Sequence, residues 1–186
     1  MRRILILLLL LTAANLYFAN TSDKKTVTVN GKDTTKVITP APYMAQEDEV
    51  VNTILSRYHY KKFNLDDSLS SVIFDRYIKS LDYNRSFFLA SDIKSFEKYR
   101  FKLDDDFKDG NVTPEFDIYN VFMKRLDNRI SYVHELLKKG FDFTKKENYV
   151  FKRDSAAWPK DENEWNELWR EKIKSDAISL LLTGKN

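Results

Sequence analysis

The amphipathic pattern of this chain predicts an all-α fold: an irregular bundle of about five helices after a cleavable signal peptide and a flexible lead-in. Three observations carry this. From residue 46 onward apolar residues recur at spacings of three and four, the period of a helix with one buried face. Among 186 residues there are only 4 glycines and 4 prolines, too few turn formers for many short strands. Aromatic residues reach 14%, which suits long helices packed through bulky side chains.

The leader MRRILILLLLLTAANLYFAN places Arg2 and Arg3 before an unbroken apolar run, Ile4–Leu11, and then small residues. That run is short for a membrane span and fits the apolar region of a signal peptide, here residues 1–19. Two cleavage sites are offered, one after Ala14, with Thr12 at −3, and one after Ala19, where Tyr17 at −3 is less suitable. The alternative is an uncleaved anchor continued through Leu16–Phe18, and either way the rest is exported. Residues 20–45 are polar, rich in Thr and Lys, and contain Pro40-Ala41-Pro42. They read as a flexible lead-in, with Thr26-Val27-Thr28-Val29 as a hint of a short strand.

The helical domain is expected over 46–186. Its first helix carries Val50, Val51, Ile54, Leu55, Tyr58 and Phe63, with Glu47, Asp48 and Glu49 in the first turn and Lys61 and Lys62 in the last, matching the helix dipole. Asp66 or Asp67 caps a second helix with Leu69, Val72, Ile73, Tyr77 and Leu81 on one face, widened by Phe74 and Ile78. Phe87-Phe88-Leu89 forms an apolar heart in the connector, placed to plug the bundle end. Ser91 offers a cap for a third helix bearing Ile93, Phe96, Arg100, Leu103 and Phe107, ended by Asp109-Gly110-Asn111.

The fourth helix has Thr113 as cap, Pro114 at the first helical position and a stripe of Phe116, Tyr119, Phe122, Met123, Leu126, Ile130, Val133 and Leu137. Lys138 and Lys139 complement its dipole and Gly140 stops it. Residues 141–160 break the pattern, yet Phe141, Phe143, Tyr149, Val150 and Phe151 are expected to pack across the helices. Asp161 and Glu164 form a capping box for a last helix with Trp165, Leu168, Trp169, Ile173 and Leu180 inward.

Composition and motifs exclude more chemistry than they offer. With no cysteine there is no disulfide, thiolate metal site or Cys nucleophile. The 2 histidines, His59 and His134, each stand alone on a helix without a second ligand at helical spacing. In the acidic stretch 104–111 an EF-hand register counted from Asp104 puts Lys108 and Asp109 where an oxygen ligand and a glycine belong, so it fails. The scattered glycines form neither a phosphate loop nor a nucleophile elbow, and no serine has an activating neighbour. Asn20, Asn84 and Asn111 begin glycosylation sequons, a pattern that arises easily by chance. Of 31 basic residues Arg2 and Arg3 belong to the leader, which leaves the remainder nearly balanced against 28 acidic ones. The basic–aromatic stretches RYHYKKF and FEKYRF therefore read as snorkelling beside a core, and no nucleic-acid partner is expected. No cofactor is expected either.

An ordered series of short motifs adds a further layer. It begins with Leu55-x-x-x-His59-Tyr60-x-x-Phe63-x-Leu65-Asp66-Asp67, Phe74-Asp75-Arg76-Tyr77, Leu81-Asp82-Tyr83 and Leu89-Ala90-Ser91-Asp92. It continues with Asp117-Ile118-Tyr119-Asn120, Asp142-Phe143, Ala157-Trp158-Pro159, Leu168-Trp169 and Leu182-Thr183-Gly184-Lys185. In this order the chain resembles the N-terminal region of the tail-specific, or carboxy-terminal processing, proteases of bacterial periplasms, over about residues 48–186.

The resemblance implies a helical scaffold followed by a PDZ domain, a Ser/Lys protease core and a C-terminal region. It also implies a docking surface for a lipoprotein adaptor in some members. Protein substrates would be met through the full-length enzyme, in the periplasm, with the inner-membrane face as a place of association. No catalytic Ser or Lys maps onto this chain, which is expected to be inactive alone and to continue past Leu180-Leu181-Leu182. A stand-alone exported helical binding module is the second reading. Asp75, Arg76, Tyr77, Trp158 and Trp169 are read as structural, with Asp75 and Arg76 tying their helix to a neighbour by a charge-assisted hydrogen bond.

Overall fold

Residues 36–60 and 64–184 are described by a computed structural model; the expected leader, most of the lead-in including Thr26–Val29, where a strand was hinted, and residues 61–63 and 185–186 lie outside them. The described residues form α1 (Pro42–Tyr58), α2 (Asp67–Leu81), α3 (Ala90–Phe96), a 3-10 turn (Glu97–Tyr99), α4 (Leu103–Lys108), α5 (Thr113–Lys139) and α6 (Glu162–Leu182), with no strand among them. The expected all-α fold is thus found, with one helix more than expected.

Helix α1 starts at Pro42, whose ring presets the helical φ, four residues before the periodic pattern. Glu47, Asp48 and Glu49 therefore stand beyond the first turn, where the dipole helps them little. The helix ends at Tyr58, with His59 extended as its C-cap. The residues before it are not wholly free. The Ile38 N–H donates to Asn120 Oδ1 at 3.0 Å, and Asn120 Nδ2 donates back to the Ile38 carbonyl at 2.8 Å, so one carboxamide on α5 holds this extended stretch.

Asp66 caps α2 by accepting the Leu69 N–H at 3.0 Å. The buried face of α2 is Ser70, Phe74 and Ile78, while Val72 and Ile73 are exposed. The two residues expected to widen the stripe are its centre. The third expected helix breaks in two between Tyr99 and Leu103. Ser70 explains how the break is tolerated: its hydroxyl donates to the Arg100 carbonyl at 2.8 Å and accepts the Leu103 N–H at 2.9 Å. Backbone groups freed by the broken helix are satisfied from another helix. At the start of α3 Ser91 is not the cap. Leu89 takes that place, and the Asp92 carboxylate accepts its N–H at 2.9 Å.

Gly110 follows α4 with φ +67°, and a Cβ there would lie 2.9 Å from the Ala45 carbonyl oxygen. Glycine at this point lets α1 lie close against the end of α4. Thr113 is the first residue of α5 and not its cap; Asn111 Oδ1 accepts its N–H at 3.2 Å. Gly140 stops α5 as expected, with φ 73°. The buried line of α5 runs through Ile118, Arg129 and Leu136, while Ile130 and Leu137 are exposed. Counting arginine as polar rotated the sequence-based stripe away from the true one.

Asp161 caps α6 by accepting the Glu164 N–H at 2.9 Å, and Glu164 reaches back to the Lys160 N–H at 3.0 Å, one residue before the expected partner. Trp165, Leu168 and Trp169 are buried, but Leu180 is exposed. In the irregular segment before α6, Phe143, Val150 and Phe151 also face solvent, against expectation. Its packed part is the end, where Trp158 joins the core and the Pro159 carbonyl accepts the Ala90 N–H at 2.9 Å.

Two apolar clusters result. One joins Phe74, Ile78, Phe88, Phe96, Leu103 and Ile118; the other joins Leu89, Trp165 and Trp169. Phe87 and Phe122 link them, with Phe87 edge-on to Phe122 at 5.4 Å and to Trp169 at 5.3 Å between ring centroids. The Phe87-Phe88-Leu89 connector does plug the bundle. Replacing Ser70 with alanine should lower unfolding free energy by about 1–3 kcal/mol, because it strands the Arg100 carbonyl and Leu103 amide. Urea denaturation checks this, and the loss should come with faster hydrogen exchange at Leu103.

Candidate functional site

The connector between α2 and α3 is densely hydrogen-bonded. Asp82, almost wholly buried, accepts the Ser86 N–H with Oδ1 at 2.7 Å. Its Oδ2 accepts the Phe87 and Phe88 N–H groups at 3.1 and 3.0 Å and the Trp158 indole N–H at 3.1 Å. The Ser86 carbonyl then accepts two indole donors, Trp165 at 2.7 Å and Trp169 at 2.8 Å. One carboxylate and one carbonyl thereby fix three tryptophans around a tight loop. Arg85 sits in this loop at φ 50°, a left-handed conformation that costs a non-glycine residue about 1–2 kcal/mol. Stacking on Trp158 at 4.3 Å and a bond from its guanidinium to the Ala156 carbonyl at 2.6 Å hold it there.

Several charges inside the bundle have partners of their own. Arg125 makes a two-pronged pair with Asp92, 2.8 Å on each side. Arg129, 2% exposed, lies flat on Trp165 at 3.3 Å from the ring centroid and donates to Asn166 Oδ1 at 2.7 Å. Burial lowers its pKa to about 10, partly offset by Glu162. Glu147 receives Arg170, Lys174 and Lys145 at 2.7, 2.6 and 3.0 Å, and these bonds hold its carboxyl well below the usual range.

The residues singled out from sequence occupy different places. Trp158 and Trp169 belong to the Asp82–Ser86 knot. Tyr77 donates its hydroxyl to the Glu115 carbonyl at 2.9 Å, tying α2 to the start of α5; burial pushes its pKa up to about 12. Asp75 pairs with Arg100 at 2.8 Å, at an exposed edge. Arg76 is exposed and has no ion pair among the described residues, so the charged tie runs through Asp75 alone. Asp82, Ser70 and Arg129 were missed, because a buried polar residue carries no apolar signal. The turn formers Asp82, Asn84 and Ser86, spaced at every second position after Leu81, were the available clue to Asp82.

No group of three His, Asp or Glu residues that could hold a metal occurs among the described residues. His59 stacks near Tyr60 with centroids 4.8 Å apart, and His134 is exposed. What the surface does offer is concave apolar ground. Val51 and Leu55 of α1, Leu69 and Ile73 of α2 and Leu103 and Phe107 of α4 line a groove of about 420 Å³, with Leu65 and Asp104 completing it. Beside it Val50, Ile54 and Tyr58 form an exposed stripe along α1, which buries no residue of its own. No described helix is long and apolar enough to cross a membrane.

Truncating Arg129 to alanine should cost about 2–4 kcal/mol, whereas Arg129→Met should stay within about 1 kcal/mol of the parent, because the stem and the stack on Trp165 outweigh the charge. Equal losses in urea denaturation would show that the ionic contacts dominate.

Comparison with known proteins agrees with this architecture. The profile of the tail specific protease N-terminal domain matches residues 50–186. A tail-specific protease of Haemophilus influenzae is 40% identical over 149 residues, 77% of this chain but 21% of that protein. The chain thus spans about a fifth of the length of that relative. The match begins midway along α1 and takes in α2 through α6, well over half of the chain, and the chain accordingly belongs to the tail-specific protease N-terminal domain family.

Proposed function

We propose that this chain is the helical scaffold and docking portion of an exported tail-specific serine endopeptidase, and that it performs no hydrolysis by itself. The observation that carries the proposal is the family match over residues 50–186, beside a 40%-identical tail-specific protease of which this chain covers only 21%. A scaffold needs a rigid interior and open outer ground. The Asp82–Ser86 knot and the paired arginines supply the first, and the α1–α2 groove supplies the second.

In this reading the PDZ domain and the Ser/Lys core lie elsewhere in the polypeptide, and substrates are periplasmic proteins presenting apolar C-terminal tails. The leader, with Arg2, Arg3 and Ile4–Leu11, supports export, and a lipoprotein adaptor is a partner for the docking face.

Assays of tail-dependent proteolysis test this. The full-length natural polypeptide should degrade a reporter with an apolar C-terminal tail at least about tenfold faster than one with an acidic tail. The purified chain of 186 residues should release no peptide from either. Hydrolysis by that chain alone, or no tail dependence in the full polypeptide, would overturn the reading.

A further inference from the structure

The apolar groove between α1, α2 and α4 has a feature that apolar packing alone does not explain. Asp104 lines it, is only 3% exposed, and gives one oxygen, Oδ2, to Lys108 at 2.9 Å. Its other oxygen, Oδ1, is buried without a hydrogen-bond partner among the described residues. A carboxylate oxygen withheld from water and unpaired is costly, and a donor brought by a partner would relieve it. The wall above it is thinly held: α1 buries no residue, so side chains there can part at low cost.

Among the described residues, acidic side chains outnumber basic ones beside the groove, where Arg57 follows Leu55 by two positions and Lys102 directly precedes Leu103. Asp66 and Asp67 stand at the start of α2 beside Leu65, Glu47 and Asp48 stand one turn before Val51, and Asp105 follows Asp104. Lys108, the basic residue of α4, is already held by Asp104 and Asp105. Ile73 and Val51, on opposite walls, are 39% and 45% exposed. The space, about 420 Å³, takes two or three aliphatic side chains and no large folded element.

We propose that this groove docks a basic amphipathic helix of a separate protein, whose apolar side chains fill it and whose Lys or Arg residues meet the acidic rim and Asp104. Helix-in-groove recognition needs an apolar channel read at spacings of three and four, and the rim sets the sign of the flanking charge. A second copy of this chain is disfavoured, because two such faces would bring like charges together. The inference deepens the docking part of the proposed function but rests on the groove alone.

The test uses the mature full-length polypeptide and a labelled synthetic amphipathic helix with leucines on one face and lysines on the other. Its control carries glutamate at every lysine. Fluorescence anisotropy should show the basic probe binding at least about tenfold tighter than the acidic one, with affinity falling as salt rises from low to about 0.5 M. Ile73→Asp, at an exposed position that leaves the core intact, should weaken the basic probe at least about tenfold.

Equal binding of both probes, indifference to Ile73→Asp, or no binding would overturn the proposal. Self-association abolished by Ile73→Asp would overturn it in favour of a second copy. Failure of probe binding with tail-dependent proteolysis intact would remove this inference and leave the scaffold reading standing.

Discussion

A buried carboxylate organises this domain. Asp82 ends α2 and accepts four N–H groups, three from its own connector and one from Trp158, seventy-six residues away. A carboxylate in that position is tolerable because four N–H donors meet it, one at Oδ1 and three at Oδ2. The return is geometric. The loop closes so tightly that Phe87 and Phe88 enter the two core clusters, and the Ser86 carbonyl points where two indoles of α6 can reach it. The contacts of α2, α3 and α6 with this connector follow from that one closure.

The same economy of polar groups recurs elsewhere. Ser70 stands in for helical bonds at the break before α4, and Asp92 both caps α3 and holds Arg125 of α5. By contrast the Asp75–Arg100 pair lies at an exposed edge, where such a pair contributes about 0–1 kcal/mol. The interior is therefore specified by a few buried polar atoms as much as by apolar area. The outer face of α1 and the groove beside it remain open. That division between a fixed interior and an open apolar face is the physical basis for reading the domain as a scaffold with a docking side.

What was legible in the sequence was local chemistry. Asp66 and Asp161 cap helices from neighbouring residues, and Gly140 ends α5 through its own backbone freedom. Periodicity likewise located most helices, and the order of short motifs led to the protease family. What was illegible depended on residues distant in sequence. The break at Arg100–Lys102 needs Ser70, thirty residues earlier, and nothing near the break announces it. The buried face of α5 turns on Arg129, which enters the core because Trp165 offers a flat partner. Leu180, Val150 and Phe151 are apolar yet exposed, since apolar character alone does not say which residues find a partner within this domain. The groove was hidden for the same reason: its walls come from three helices, and each reads separately as an ordinary amphipathic face.

The most direct test of the central claim is the stability of Asp82→Asn against Asp75→Asn, both measured by urea denaturation. An amide at Asp82 turns one acceptor into a donor facing N–H groups, so the loss should be about 2–4 kcal/mol, accompanied by a change in tryptophan fluorescence. Asp75→Asn should stay within about 1 kcal/mol of the parent. Equal, small effects at both positions would contradict the account, because the connector would then be held by apolar packing and not by its buried carboxylate.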